Sequence, residues 1–338
     1  MSDQVRCAVI GLGRLGFRHA QILQTKIKSA RLVKVATSRR ESAEKAAREL
    51  GGVAWTADPR EIFEDPDIDA VLINTPTDTH AQYLVEAARH GKHIYVEKPV
   101  TKTLEEARRV YPIVRDSGVL CQVGFMRRFD PAYAEAKKRI EAGDIGKPIY
   151  FKGVSRDPAS PPEAYIRTSG GIFLDLAIHD FDIARYLMGS EVKTVRSVGS
   201  IQLHTFMADC GDVDQALTYL TFESGAAGDV ESSRNAGYGY DIRGEVVGTE
   251  GTLLIGSLRQ RDLVFLSRNG RTTDIVPDFV RRFDEAFTLE LEHFIECVRR
   301  RETPLCTMVD GIRALEIAEA ATESFRRGQE MEVGKEKV

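Results

Sequence analysis

The chain has 338 residues, 42% hydrophobic and 29% charged, the makeup of a soluble globular protein with room for two domains. Its formal net charge is −4, and the short basic clusters (Arg39-Arg40, Arg127-Arg128, Arg281-Arg282, Arg299-Arg300-Arg301) lie among acids, so each is expected to be a solvated face; neither nucleic acid nor a membrane is expected as partner. No apolar run is long enough to span a bilayer and the N-terminus M-S-D-Q-V-R does not read as a signal peptide, so a cytoplasmic protein is expected. The five cysteines are odd in number and lack C-x-x-C spacing, which argues against a disulfide framework or a zinc site.

In chain order, short β-rich runs at 5–10, 31–37, 53–55, 69–74, 92–96 and 119–124 alternate with helical stretches near 15–24, 40–50, 59–63, 78–90 and 103–117. Asp58-Pro59 and Asp78 supply helix starts, and Gly91 and Gly118 supply stops. That alternation predicts a parallel, doubly wound sheet over residues 1–125. From 126 to 338 the pattern changes: a helix at 131–142, a strand at 148–155, a proline-rich loop at 157–162 and a helix at 172–188. Alternating runs at 192–206, 213–223, 226–234, 240–248, 251–256 and 261–268 predict a large, mostly antiparallel sheet, and helices at 280–301 and 307–327 close the chain. The second domain is therefore expected to be α+β, with its last helices allowed to pack back on the first.

The first strand runs directly into G11-L-G-R-L-G16, which opens a helix. A turn of this kind leaves bare backbone N–H groups at a helix start, and glycine lets a pyrophosphate approach them. With a second strand ending about 20 residues on, the context is that of a Rossmann dinucleotide site, involving Gly11, Gly13, Arg14, Leu15 and Gly16. NAD-binding folds usually end the second strand with an acid that accepts from the ribose hydroxyls. Here Ser38-Arg39-Arg40 stands in its place. Ser38 can donate to a 2′-phosphate and Arg39 can pair with it through its fork of N–H groups, which favours NADP over NAD. A solvated basic helix start is the alternative.

In open parallel sheets, ligands sit beyond the carboxyl ends of the strands. Three segments end there with polar or restricted residues: N74-T-P-T-D-T-H80, Glu97-Lys98-Pro99 and G124-F-M-R-R-F129. Thr75, Pro76, His80, Glu97 and Lys98 join the expected cofactor contacts. A lysine at this crevice can polarise a substrate oxygen or take part in proton transfer, although E-K-P alone also suits a surface turn. In G170-G-I-F-L-D-L-A-I-H-D-F-D182, helical spacing would put Asp175 and His179 on one face with Asp182 close by. An imidazole beside a carboxylate is a candidate acid/base; a structural pair is the alternative. No metal is expected.

These segments, in this order, resemble the Gfo/Idh/MocA oxidoreductases over essentially the whole chain. Ser155-Arg156-Asp157-Pro158, the loop with Pro161-Pro162 and Tyr165-Ile166, and Y238-G-Y-D-I-R243 resemble the inositol 2-dehydrogenase branch more narrowly. The resemblance implies a catalytic set of Lys98, Asp175 and His179. It also implies substrate contacts at Met126, Arg127, Asp157, Asp182, Tyr238 and Tyr240, and a Lys98–Pro99 bond that is often cis in the family. Ser38 departs from the acid that NAD-using members of the branch carry. The implied activity is NAD(P)-dependent oxidation of myo- or scyllo-inositol to a keto-inositol by a homotetramer. An aldose or other sugar derivative as substrate, or a non-catalytic nucleotide-sensing regulator, are the other readings.

Overall fold

Six strands, β1 (Val5–Ile10), β2 (Ala30–Ala36), β3 (Ala54–Thr56), β4 (Ala70–Ile73), β5 (His93–Glu97) and β6 (Cys121–Gly124), run parallel in the order β3-β2-β1-β4-β5-β6 in the computed structural model, which describes residues 4–268 and 270–334. Helices α1 (Arg14–Thr25), α2 (Arg40–Glu49), α3 (Arg60–Phe63), α4 (His80–Arg89) and α5 (Leu104–Asp116) connect them. Strands covered on both faces read as continuous apolar runs, and β4, A70-V-L-I73, is buried at every position. This is the Rossmann order, in which the strand order reverses between β1 and β4.

The chain divides into two units, one ending at Phe129 and regaining Glu285–Ile312, the other made of Asp130–Asp284 and the chain from Arg313 onward. The second unit begins with α6 (Pro131–Ala142), β7 (Pro148–Arg156), α7 (Glu163–Ser169), a π-wound turn at Phe173–Ala177 and α8 (Ile178–Met188). Strands β8 (Val192–Ser200), β9 (Gln215–Phe222), β10 (Ala227–Ser233), β11 (Asp241–Gly248) and β12 (Thr252–Ile255) follow, then a separate hairpin of β13 (Arg259–Ser267) and β14 (Gly270–Ile275). After α9 (Phe279–Arg282), α10 (Asp284–Arg300) and α11 (Met308–Arg327), β15 (Met331–Glu332) completes a seven-stranded sheet in the order β12-β11-β7-β10-β9-β8-β15. That sheet is antiparallel except where β10 pairs parallel with β7.

α10 supplies part of the first unit's core. Its Phe287 ring lies 5.6 Å from His19, its Phe294 ring 6.0 Å from Tyr95, and its Glu290 carbonyl accepts from the Gln122 amide at 3.1 Å. Among the described residues, no helix is long and apolar enough to cross a membrane.

Several sequence expectations needed correction. The strand expected over 192–206 stops at Ser200, because the buried Asp214 carboxylate accepts from the backbone N–H groups of Gln202, Leu203 and His204, each at 2.8 Å, and holds a turn. The helix expected over 280–301 is broken at Phe283 into α9 and α10. The helix at 163–169 and the strands at 270–275 and 331–332 lie outside the sequence expectations. Nor are all the basic clusters solvated: Arg127 and Arg128 are buried, and Arg282 pairs with Asp130 at 2.6 Å.

Candidate active site

In the first unit, the glycine turn leaves a cradle at the start of α1. A Cβ on Gly11 would stand 2.5 Å from the Asn74 carbonyl oxygen, and one on Gly16 would collide with the Gly11 carbonyl. Gly13 is the N-cap of α1 with no side-chain cap, no acid lies in the first turn, and both Gly13 and Arg14 are exposed. The helix start therefore offers N–H groups to an outside anion, which fits a dinucleotide pyrophosphate. Leu15 is half-buried behind them.

At the end of β2, Ser38 and Arg39 are exposed, whereas the Arg40 guanidinium lies 5.4 Å over the Trp55 ring. Among the described residues the Arg39 side chain makes no hydrogen bond or ion pair, so it can turn to a ligand. After β4, Pro76 leads into a tight turn in which the Thr79 hydroxyl donates to Thr75 Oγ1 at 2.6 Å. His80 is buried, with Nδ1 2.9 Å from the Pro99 carbonyl and Nε2 3.0 Å from the Thr75 carbonyl. It thus ties the Thr75 loop to the segment after Lys98, and burial lowers its titration below the usual imidazole range. Lys98 is half-buried and its bond to Pro99 is cis. Burial pushes the Glu97 carboxyl up to about 7, against the opposing pull of Lys98 and a hydrogen bond from Tyr95. Met126 and Arg127 sit in a short turn, Met126–Phe129, where all four side chains are buried. Arg128 is committed to structure, donating to the Leu305 carbonyl at 3.0 Å and to Asp310 at 2.9 Å.

The second unit holds the other candidates. Asp175 lies in the π-wound turn rather than an α-helix, so the four-residue spacing to His179 does not by itself put the two on one face. Its Oδ1 accepts from the Tyr165 hydroxyl at 2.9 Å and its Oδ2 from Arg234 at 2.9 Å. The same guanidinium reaches Asp157 Oδ2 at 3.5 Å. Arg234 thereby bridges Asp157 and Asp175 from the residue that follows β10, and it is only 1% exposed. Sequence reasoning misses Arg234 and gives Tyr165 no individual role. Both lie outside any motif, and only folding joins them to Asp175.

His179 and Asp182 are buried on α8. Between them the wholly buried Asp180 accepts from the Ser155 hydroxyl, fastening α8 to β7. The two tyrosines are placed differently from the Asp157–Asp175 pair. Tyr238 accepts from Arg156 at 3.1 Å and donates to Asp241 at 2.7 Å, while the buried Tyr240 ring meets Phe283 edge-on at 6.4 Å.

An exposed, glycine-cradled helix start on a Rossmann sheet defines a dinucleotide-dependent oxidoreductase class. Residues 5–125 match the family model for the NAD-binding Rossmann fold of the Gfo/Idh/MocA oxidoreductases, and residues 137–333 match its C-terminal alpha/beta domain. The chain belongs to that family. It is 56% identical over 333 residues to scyllo-inositol 2-dehydrogenase (NAD(+)) of Bacillus subtilis, covering 98% of this chain and 97% of that protein. It is 39% identical over 322 residues to myo-inositol 2-dehydrogenase of Thermotoga maritima, covering 95% and 96%. Among solved structures, scyllo-inositol dehydrogenase from Lactobacillus casei with bound NAD(H) and scyllo-inositol superposes with a TM-score of 0.93 at 29% identity, over 98% of this chain and 100% of that one.

Because Arg234 is the cation bridging two buried or half-buried carboxylates, Arg234→Met should lower the unfolding free energy by about 3 kcal/mol. Arg234→Lys should recover only part of this, since a single ammonium cannot fork to both acids. Denaturant unfolding monitors both variants; a loss below about 1 kcal/mol for the methionine variant would mean that the bridge carries little.

Proposed function

We propose that this chain is an NAD(P)-dependent inositol 2-dehydrogenase, converting one ring carbinol of myo- or scyllo-inositol to a ketone. NAD(P), when bound, supplies the hydride acceptor at nicotinamide C4. Gly11, Gly13, Arg14, Leu15 and Gly16 hold the pyrophosphate, with Thr75 and Pro76 along the nicotinamide side. His179 takes the hydroxyl proton as the carbinol C–H gives up its hydride and the C=O bond forms. Lys98 orients the reacting oxygen, and Arg127, Asp157, Asp182 and Tyr238 receive ring hydroxyls, with Met126 and Tyr240 as apolar walls.

The observation that carries this reading is the Asp175 carboxylate, whose oxygens accept from Tyr165 and from Arg234. A carboxylate held this way is a fixed acceptor rather than a proton carrier, which leaves the imidazole as the base. Asp157 and Asp175 around one guanidinium suit a cyclitol, because every ring hydroxyl can donate to an acid and accept from a cation. The names of the relatives support the same substrate class. A cytoplasmic location belongs to this reading, supported by five cysteines that are all free thiols.

Purified protein offered a panel of inositols and aldoses should reduce the nicotinamide fastest with an inositol, followed by absorbance. His179→Ala should lower turnover by ~10³-fold with cofactor titration near normal. Preference for an aldose, or turnover surviving in His179→Ala, would reject the reading or move the base elsewhere.

On the cofactor, Ser38 and the exposed Arg39 favour NADP, although the 56% identical relative is named for NAD(+). NADP should give the higher kcat/KM, and Arg39→Ala should weaken NADP use selectively by about tenfold, ~1.4 kcal/mol. An NAD preference of that size in the unaltered protein would end the assignment to Ser38 and Arg39.

A homotetramer is part of the same proposal. On one face of the larger sheet, Val198 pairs across strands with Leu217, and both are exposed beside Tyr219, while the alternate residues Ala216 and Leu220 are buried. Such a two-faced apolar sheet suits burial against a second copy. Light scattering at the monomer mass would contradict it.

A further inference from the structure

Asp175, His179 and Asp182 ride on one unbroken run of helix, which starts at Ile172, passes through the π-wound turn Phe173–Ala177 and continues as α8. The residues before it are Gly170 and Gly171, with φ of 85° and 89°. Glycines there give the turn its left-handed backbone, but they leave the helix start without a capping side chain of its own. The Gly171 carbonyl accepts from the Leu174 and Asp175 N–H groups at 3.2 and 2.9 Å. The Ile172 N–H instead donates to Asp212 Oδ1 at 3.0 Å, from a residue 40 positions further along. A Cβ on Gly171 would crowd that same oxygen at 3.2 Å. A carboxylate in this place also faces the positive end of the helix.

Asp212 is itself held firmly. Its N–H donates to the Met207 carbonyl at 3.0 Å, and Gly211 before it turns the chain with φ of 63°. The side chain is buried, and Oδ2 accepts no hydrogen bond. A buried carboxylate left this way requires a cation close by. Arg234 answers that need, since Asp212 follows Asp175 and Asp157 among the acids whose attraction raises the guanidinium. One positive charge thus serves three acids, Asp175 and Asp157 through N–H contacts at 2.9 and 3.5 Å and Asp212 through space.

We infer that Asp212 is a positioning residue with two separable functions: its oxygen caps the helix that carries Asp175, His179 and Asp182, and its charge shares Arg234, so that the guanidinium draws less on Asp175 and Asp157. The capping function stands on the fold alone. The charge function rests on the dehydrogenase reading, because it keeps Asp175 and Asp157 strong acceptors for ring hydroxyls.

Two substitutions in the full chain divide the functions. Asp212→Asn keeps an oxygen for the Ile172 N–H and removes the charge, whereas Asp212→Ala removes both. Asp212→Asn should keep most of the thermal stability and raise KM for inositol about fivefold, with kcat and cofactor titration near the wild-type values. Asp212→Ala should in addition lose thermal stability and kcat, because the helix start is freed. Asp212→Ser, which offers an oxygen without charge and without a buried amide, repeats the test if the asparagine variant does not fold. An unchanged KM in the uncharged variants, with or without a loss of thermal stability, overturns the charge function. An alanine variant as stable and as fast as the asparagine variant overturns the cap. Absence of turnover with any inositol in the wild type would strike the dehydrogenase reading and leave the stability comparison standing.

Discussion

Three stretches of backbone meet in the first unit with no side chains between them, and the cofactor site depends on that approach. The end of β1, the first turn of α1 and the residue after β4 touch at Gly11, Gly16 and Asn74, where an added Cβ would have no space. The close contact puts the α1 start at the carboxyl edge of the sheet, at the point where strand order reverses. With Gly13 as an N-cap that offers no side-chain oxygen, the first N–H groups of α1 keep their capacity for an outside anion. A serine or aspartate cap would stabilise the helix by only a few tenths of a kcal/mol over glycine, while its side-chain oxygen would take up the N–H groups that an outside anion needs.

The second unit solves a different problem, which is to keep carboxylates charged while they are largely out of water. Removing one partner of a buried ion pair leaves an uncompensated charge, and that makes such pairs costly to disturb. Arg234 is raised above its ordinary value, because the attraction of Asp175 and Asp157 outweighs the burial that would lower it. The Asp180–Ser155 and Arg282–Asp130 contacts follow the same rule, each acid meeting a donor within hydrogen-bond reach. For a ligand made of hydroxyls, acids held as anions are acceptors of fixed direction, whereas a neutral, rotating acid could not distinguish one hydroxyl from its epimer.

Much of the first unit was legible because parallel strands covered on both faces appear as apolar runs, and because the glycine turn has few structural meanings. The second unit was legible in outline only. The stretch 201–206 alternates like a strand, yet three of its N–H groups go to Asp214 instead of to a neighbouring strand. β14, G270-R-T-T-D-I275, is polar and exposed along most of its length, so periodicity had nothing to detect. Asp175 was read from helical spacing, but a π-wound turn changes the angle between successive residues, and its actual partners, Tyr165 and Arg234, lie 10 and 59 positions away. Motifs record which residues are needed; they do not record which distant side chain holds them still.

The Glu-Lys-Pro segment makes the same point more sharply. Read along the sequence, Glu97 and Lys98 are adjacent opposite charges at a strand end, which would simply neutralise each other in water. In the fold, the glutamate accepts from Tyr95, whose hydroxyl also meets Glu290, 195 positions further along the chain on α10, the helix by which the chain returns to the first unit after residues 130–284. Burial then raises Glu97 toward neutrality and outweighs the opposing pull of Lys98 and Tyr95, so the charge beside the lysine is set by how deeply the fold buries this carboxyl. The chemistry available at Lys98 is therefore a property of where α10 docks, and a chain carrying the motif without that helix would hold the same letters around a different charge.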